Sequence, residues 1–162
     1  MELTATIAMA GIVILGIGIV LADSHRGWTR MYSRVYSDVV TDSYVARKAF
    51  DAVVRKSSLK RCELGNSGEF VTVYYYQDAN STELDRHARF YISGEQLLVV
   101  YGDGSFDSEG IWQATSASGP VTLARNVISA RFLVDGTSVR MILRLDNGKE
   151  TMTVTSSAVR HN

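Results

Sequence analysis

An unbroken apolar stretch opens the chain. Residues Leu3 to Ala22 hold no charged side chain, and one acid, Glu2, stands immediately before them. A helix of about 20 residues spans roughly 30 Å, which is the hydrocarbon thickness of a bilayer. Because a backbone in lipid must satisfy its own hydrogen bonds, this stretch predicts a membrane-competent helix.

The helical pattern continues beyond Ala22. Between residues 23 and 60 there is no proline and only one glycine, Gly27, and apolar residues recur there at steps of three and four. This spacing is typical of an amphipathic helix. It predicts one continuous helix from near Glu2 to about Ser58, with its second half lying against an apolar surface.

After Gly68 the period changes from 3.6 to two, which is typical of strands. The dipeptides Asp135-Gly136 and Asn147-Gly148 are strong hairpin signals, and Gly94-Glu95 also predicts a two-residue turn. A short strand is expected at residues 111–115, and a loop is expected at residues 102–110. The remaining predicted strands are Phe70–Gln77, Ala88–Ser93, Gln96–Tyr101, Val127–Val134, Val139–Leu145 and Thr151–Ser156.

One face of the predicted sheet is apolar: Val139, Met141, Leu143 and Leu145 alternate with polar residues. Such a face needs a cover, and the amphipathic part of the helix is the obvious one. The pattern therefore predicts an α+β fold, in which a long N-terminal helix packs on an antiparallel sheet. We expect a hydrophobic helix over residues 1–22, its amphipathic continuation over 23–60 and a β-sheet domain over 61–162.

Charge is distributed unevenly along a chain whose formal net charge is zero. Residues 23–60 carry eight Lys or Arg against four Asp, and residues 61–162 carry nine against twelve acids. Because the second half presents no basic excess, nucleic acid is not expected as a partner. The single cysteine, Cys62, has no intrachain disulfide partner.

The sequence contains no pattern that we assign to catalysis. The three histidines, His25, His87 and His161, lack cysteine or metal-ligand partners at useful spacing, and no phosphate loop is present. We therefore expect that the protein is not an enzyme. The run Tyr74–Tyr76 is interpreted as strand packing on both faces rather than as a ligand platform.

The acidic stretch Asp103–Glu109 is the one candidate metal site, because it has oxygen-bearing side chains at alternate positions, like the first half of a calcium loop. Two positions depart from that pattern: Ser108 stands where glycine is required, and Ala114 stands where the bidentate glutamate belongs. A solvated acidic loop without cofactor is the preferred interpretation, and Ca²⁺ is the alternative.

The plan of the chain resembles the superfamily of type IV pilins and type II secretion pseudopilins. The resemblance rests on Met1-Glu2-Leu3, on the small residues in the apolar run, and more weakly on the last three strands and tail. The second half is most similar to J-type minor pseudopilins and W-type minor pilins, through Val134-Asp135-Gly136, Val139-Arg140-Met141 and Ser156–Asn162.

The resemblance implies a structural subunit that assembles with other pilin or pseudopilin subunits through its N-terminal helix. Glu2 corresponds to the family's carboxylate, which meets the N-terminal amine of a neighbouring subunit. Glycine costs about 1 kcal/mol in a helix relative to alanine, so Gly11, Gly16 and Gly18 are expected to loosen this one. The implied location is the bacterial inner membrane, crossed once, with the globular domain in the periplasm, or a periplasmic or cell-surface filament.

The match has two departures at its start. Glu2 is the second residue here, whereas the family's glutamate is fifth in the mature chain, and no basic leader ending in glycine precedes Met1. The arginines at 26, 30 and 34, counted alone, would place that side in the cytoplasm, and a basic leader would reverse the count. The alternative function is a single-pass, membrane-anchored periplasmic domain that binds a ligand or partner alone.

Overall fold

The computed structural model describes residues 15–29, 31, 37–78 and 81–160. The chain divides into two units, Met1–Ser37 and Asp38–Asn162. In the first unit, residues 15–29 form a helix, α1, and all of them are exposed. The part of the predicted membrane helix that precedes residue 15 lies outside the described residues.

The second unit consists of one helix followed by strands only. The helix, α2, spans Asp38–Val54 and buries a side chain about once per turn, at Val39, Ser43, Ala46, Phe50 and Val54. The strands are β1 Ser57–Leu64, β2 Phe70–Tyr75, β3 Arg86–Ser93, β4 Gln96–Phe106, β5 Trp112–Ala117, β6 Val121–Ala124, β7 Val127–Asp135, β8 Ser138–Asp146 and β9 Thr151–Val159.

The predicted fold class is wrong. Strands make up 51% of the described structure and form two sheets, so the fold is mostly β rather than α+β with a long helix packed on a sheet. The predicted continuous helix from Glu2 to Ser58 is also wrong, because Ser37 is not helical and α2 ends at Val54. Helices among the described residues are the two short segments α1 and α2.

Residues 57–60, which the helical pattern included, instead begin strand β1. The chain leaves the helix through a tight turn in which the Ser57 hydroxyl donates to the Val54 carbonyl at 2.6 Å. Ser57 and Ser58 are then fully buried, and Ser57 pairs with Tyr75 of β2. Burial of these two small residues in the sheet outweighs the weak local preference for helix.

The strands form two antiparallel sheets. Sheet 1 has the order β1-β2-β3-β4-β5, and β6 also pairs with β4. Sheet 2 is the meander β7-β8-β9. Strand β4 changes partners along its length: residues 97–99 pair with β6, and residues 102–106 pair with β5. The ladder between β4 and β5 is irregular between Asp103 and Gly104.

The core lies between α2 and the two sheets. Phe50 of α2 has no exposed surface, and its ring centroid lies 5.3 Å from that of Phe90 in sheet 1 and 6.1 Å from that of Phe132 in sheet 2. Sheet 1 turns Val71, Val73 and other apolar residues toward this core, and we call that side its core face.

The local strand predictions agree well with the structure. The alternation in β8 is confirmed, since Val139, Met141, Leu143 and Leu145 are all fully buried. The three-stranded meander and the turn at Gly94-Glu95 are also confirmed. Three features differ: β1 and β6 were not predicted, and β4 continues to Phe106 through the expected loop.

Candidate functional site

Two of the three glycines predicted to loosen the N-terminal helix can be placed on the structure. Gly16 and Gly18 lie in α1, and a Cβ atom added at either would meet nothing within 4 Å. No contact among the described residues therefore requires glycine at these positions. Glu2 and Gly11 lie outside the described residues.

The first half of α1 presents an apolar surface. Leu15, Ile17, Ile19, Val20 and Leu21 are between 55% and 69% exposed. Exposed apolar residues in contiguous groups are typical of protein-protein or membrane contacts. Among the residues that the structure describes, no helix combines the length and hydrophobicity needed to cross a bilayer.

The Asp103–Glu109 stretch is not the loop that the sequence predicted. Asp103 lies in β4, where the Arg86 guanidinium stands 3.0 Å from its carboxylate and the Ser116 hydroxyl donates to it at 2.9 Å. The carboxylate of Asp107 accepts the backbone N–H of Ile111 at 2.8 Å and so closes the turn that follows β4.

Hydrogen bonds from the turn lower the pKa of Asp107, with the Ile111 N–H contributing most. Both carboxylates therefore have protein partners, which a calcium ion would have to displace. The part of the chain that the structure describes contains no group of three acidic, histidine or cysteine side chains placed to hold a metal. The calcium hypothesis stays a prediction.

A second candidate site is a group of rings on the side of sheet 1 opposite its core face, which we call the aromatic cluster: Tyr74, His87, Phe106 and Trp112. The Trp112 ring centroid lies 4.9 Å from that of Tyr74, 5.0 Å from that of Phe106 and 5.3 Å from that of His87. The Trp112 ring packs edge-to-face on His87 and Phe106, at interplanar angles of 69° and 67°, and is tilted by 52° to the Tyr74 ring. The sheet thus has rings packed on both sides.

Two glycines of β4 make room for the cluster. A Cβ atom at Gly102 would lie 2.5 Å from the His87 ring, and one at Gly104 would lie 2.6 Å from the Trp112 ring. At both positions it would also press on a carbonyl oxygen of β5. The rings of His87 and Trp112 therefore pack directly against the backbone of β4.

The cluster contains two polar atoms without a hydrogen-bond partner among the described residues, His87 Nδ1 and Trp112 Nε1. Buried polar groups are normally paired, so both atoms require an explanation. His87 is only 9% exposed, and this burial lowers its pKa. The imidazole is therefore kept neutral more readily than a surface histidine.

The Tyr74 side chain is also buried. Burial, followed by the neighbouring Glu63 carboxylate, raises the pKa of the Tyr74 hydroxyl. Tyr74 belongs to the outer side of β2, whereas Tyr75 packs against the core. The interpretation of the tyrosine run as packing on both faces is confirmed.

Two arginines extend the cluster across the same side of the sheet. The Arg61 guanidinium lies 4.3 Å from the Phe106 ring centroid, and that of Arg89 lies 4.1 Å from the Phe70 ring centroid. Both distances are those of cation–π contacts. An open cavity of about 420 Å³ lies beside the cluster, lined by His87, Arg89, Tyr91 and Val100.

Sequence reasoning missed this site. In the sequence, His87 lacks a metal-ligand partner at useful spacing, and Trp112 belongs to no recognisable motif. The available signal was the alternation of His87, Arg89 and Tyr91 on one side of a strand, opposite apolar residues on the other. Such a pattern indicates a sheet whose two sides both carry large side chains.

Neither a scan against family models nor a search of curated proteins finds a match to this chain. The described residues include an exposed apolar helix, α1, and a side of sheet 1 that carries rings and two arginines. The aromatic cluster holds two buried nitrogen atoms, His87 Nδ1 and Trp112 Nε1, and the guanidinium groups of Arg61 and Arg89 lie on the same side of the sheet.

Proposed function

We propose that the protein is a pilin-like structural subunit of a type IV pilus or a type II secretion pseudopilus, and that it assembles through its N-terminal helix. One observation carries the proposal: the apolar residues 15–22 form a helical segment whose side chains are all exposed. The resemblance of Met1-Glu2-Leu3 and the following run to the pilin start supports the same interpretation.

Exposed apolar side chains of this size favour transfer out of water. Burial of a Val, Leu or Ile side chain contributes about 1.5–3 kcal/mol. Five such residues in α1 are between 55% and 69% exposed, so lipid or neighbouring helices would stabilise them by roughly 5–10 kcal/mol in total. A bilayer holds the subunit before assembly, and packing against other subunits replaces the lipid afterwards.

The proposal does not depend on the long helix that the structure contradicts. Its requirements are an apolar N-terminal segment and a folded unit that follows it, Asp38–Asn162. The folded unit would occupy the periplasm, or the surface of a filament, and the core cluster that the structure describes in it is built from α2 and the two sheets.

Glu2 has the sharpest role in this proposal. A carboxylate at the head of an apolar helix is costly in lipid unless it is paired. In an assembly of such helices, the amine at the N-terminus of a neighbouring subunit would pair with it. Removal of one partner from a buried pair costs roughly 3–5 kcal/mol, which is enough to exclude a subunit from a filament.

The test compares incorporation of the wild-type chain and of Glu2→Ala into filaments sheared from the cell surface, or into the purified secretion complex. We expect Glu2→Ala to be depleted at least tenfold from the assembly while its membrane content stays unchanged. Glu69→Ala is the matched control, because Glu69 is an exposed acid before β2. Equal incorporation of Glu2→Ala and the wild type would refute the proposed role.

The second candidate function is a single-pass, membrane-anchored periplasmic domain that binds a partner by itself. The aromatic cluster favours this candidate, because rings, two arginines and a cavity of about 420 Å³ occur together on one side of sheet 1. An anchored domain has no neighbouring amine for Glu2. Membrane-bound protein that never enters an assembly, with or without Glu2, would favour this second function.

A further inference from the structure

Strand β9 is an open edge of sheet 2. The sheet has the order β7-β8-β9, so β9 pairs with β8 on one side only. In the described part of the chain, no backbone hydrogen bond reaches residues 151–159 from any element except β8. Its outward N–H and C=O groups are therefore free to pair with a further strand.

Helix α2 covers the core face of β9 and leaves its other side open. The Ser43 hydroxyl of α2 contacts the Met152 sulfur at 3.3 Å, and the Ser156 hydroxyl donates to the Asp51 carboxylate. The side chains that point the other way are exposed at every alternate position, namely Thr151, Thr153, Thr155, Ser157 and Val159.

The outer strands β1, β5 and β7 are protected against strand addition. Strand β1 is bulged between Ser57 and Cys62 and carries three charged residues, and β5 pairs with β4 through a bulge. Strand β7 is bulged near its start, and its Phe132 N–H already donates to the Gly68 carbonyl at 2.9 Å. Bulges, charges and covered backbone groups are the usual means of blocking an edge.

Strand β9 has none of these protections. Its sequence, TMTVTSSAV, contains no charge, no proline and no glycine, and its pairing with β8 is regular over all nine residues. Threonine and valine also favour extended structure. An uncharged, regularly paired edge of this length is a ready template for another strand.

We propose that β9 pairs with β9 of a second copy of this chain, antiparallel and about a two-fold axis, so that the two copies share one continuous sheet. Overlap of all nine residues places the axis at Thr155, the middle of the strand. Thr155 then faces its own counterpart, Thr153 faces Ser157, and Thr151 faces Val159.

The strand is complementary to itself in this register. A two-fold axis brings each residue opposite one from the same strand, so any charge in it could meet a like charge. No residue of β9 is charged, and threonine and serine pairs across strands are favourable. A second copy therefore fits this edge without the repulsion that the charges of β1 would create.

This inference goes beyond the proposed function and does not use the N-terminal segment. Association through α1 and association through β9 involve different residues, so separate substitutions test them. Glu2→Ala leaves β9 intact, and a β9 variant leaves the N-terminus intact.

The first test is disulfide cross-linking of the full chain in membranes, in a Cys62→Ala background. Opposite residues in an antiparallel pair have Cα atoms about 4.5–5.5 Å apart, which a disulfide can bridge. We expect Thr155→Cys to give a covalent dimer on mild oxidation. Thr153→Cys is the control, because the two copies of residue 153 would be four positions apart, or about 13 Å.

The second test measures the dimer dissociation constant of the full chain in detergent by analytical ultracentrifugation. Thr155→Lys should raise this constant about tenfold or more, because two ammonium groups would face each other. Ser129→Lys, at an exposed position on β7, keeps the same N-terminus and adds the same charge. It should leave the constant unchanged.

A dimer that cross-links through residue 155 and dissociates with Thr155→Lys alone supports the proposal. A wild-type chain that stays monomeric, equal cross-linking through residues 153 and 155, or no difference between the two lysine variants would overturn it. Circular dichroism of both lysine variants verifies that they fold.

Discussion

Replacement of Phe50 by alanine is the most direct test of how the folded unit holds together. Phe50 lies on α2, is fully buried, and contacts Phe90 of sheet 1 and Phe132 of sheet 2. A single side chain thus links the helix to both sheets. Its removal leaves a cavity where all three elements meet.

The expected loss follows from burial and from the cavity. Phe→Ala substitutions in a core cost about 3–5 kcal/mol, since they combine lost apolar transfer with unfilled space. Two ring–ring contacts, each contributing about 0.5–1.5 kcal/mol, are lost as well, so the upper part of that range is expected. For a domain of this size the loss corresponds to a fall in Tm of roughly 15 °C.

The assay is urea unfolding of the full chain, followed by far-UV circular dichroism and fitted for the free energy of unfolding. Tyr44→Ala on the same helix is the matched control, because Tyr44 is 63% exposed. Surface substitutions usually change stability by less than about 0.5 kcal/mol. The difference between the two variants isolates the contribution of the buried ring.

A loss below about 1 kcal/mol for Phe50→Ala would contradict this account. It would mean that the sheets are held together without α2, and that Phe50 only fills space between elements that already pack. A loss for Tyr44→Ala as large as that for Phe50→Ala would also contradict it, because the cost would then come from the helix itself.

Two further predictions concern the aromatic cluster. Gly102→Ala should lower the free energy of unfolding by about 1–3 kcal/mol, since the added Cβ would press on the His87 ring. Gly119→Ala is the control, because a Cβ atom at Gly119 would meet nothing within 4 Å. Equal free energies of unfolding for the two variants would refute the close packing. Burial lowers the pKa of His87 in the folded state. Just below the ordinary histidine pKa of about 6.5, the unfolded chain therefore binds more protons than the folded chain does. The free energy of unfolding should therefore fall as the pH drops from 7.5 to 5.5, and His87→Gln should lose part of that pH dependence. If the free energy of unfolding of the variant depends on pH as that of the wild type does, His87 does not contribute.

Most of the strands could be predicted from the sequence, because turn dipeptides and alternation of apolar residues are local signals. The turns at 135–136 and 147–148 join strands that are neighbours in the chain, so each hairpin closes with a short loop. The alternation in β8 assigns the buried side without knowledge of what covers it. The same holds for the hairpin formed by β3 and β4.

The candidate site was less accessible to sequence reasoning. Tyr74, His87 and Trp112 belong to three strands, and no spacing in the sequence indicates that their rings meet. Their meeting depends on the registers between β2, β3, β4 and β5, including the register shift between Asp103 and Gly104 in the ladder of β4 and β5. The glycines at 102 and 104 are necessary for it, but glycine by itself predicts a turn as readily as close packing.

By itself, the sequence determined the features that depend on neighbours in the chain. These are the apolar N-terminal run, the amphipathic period of residues 38–54, the hairpins and the buried side of β8. Only the tertiary structure decided that the helical pattern stops at Val54, that residues 57–64 become a strand, and that the strands divide into two sheets around α2. The physical reason is that helix preference near Ser57 is worth only tenths of a kcal/mol per residue. Pairing with β2 and complete burial of Ser57 and Ser58 outweigh it, and both require residues that are distant in the sequence.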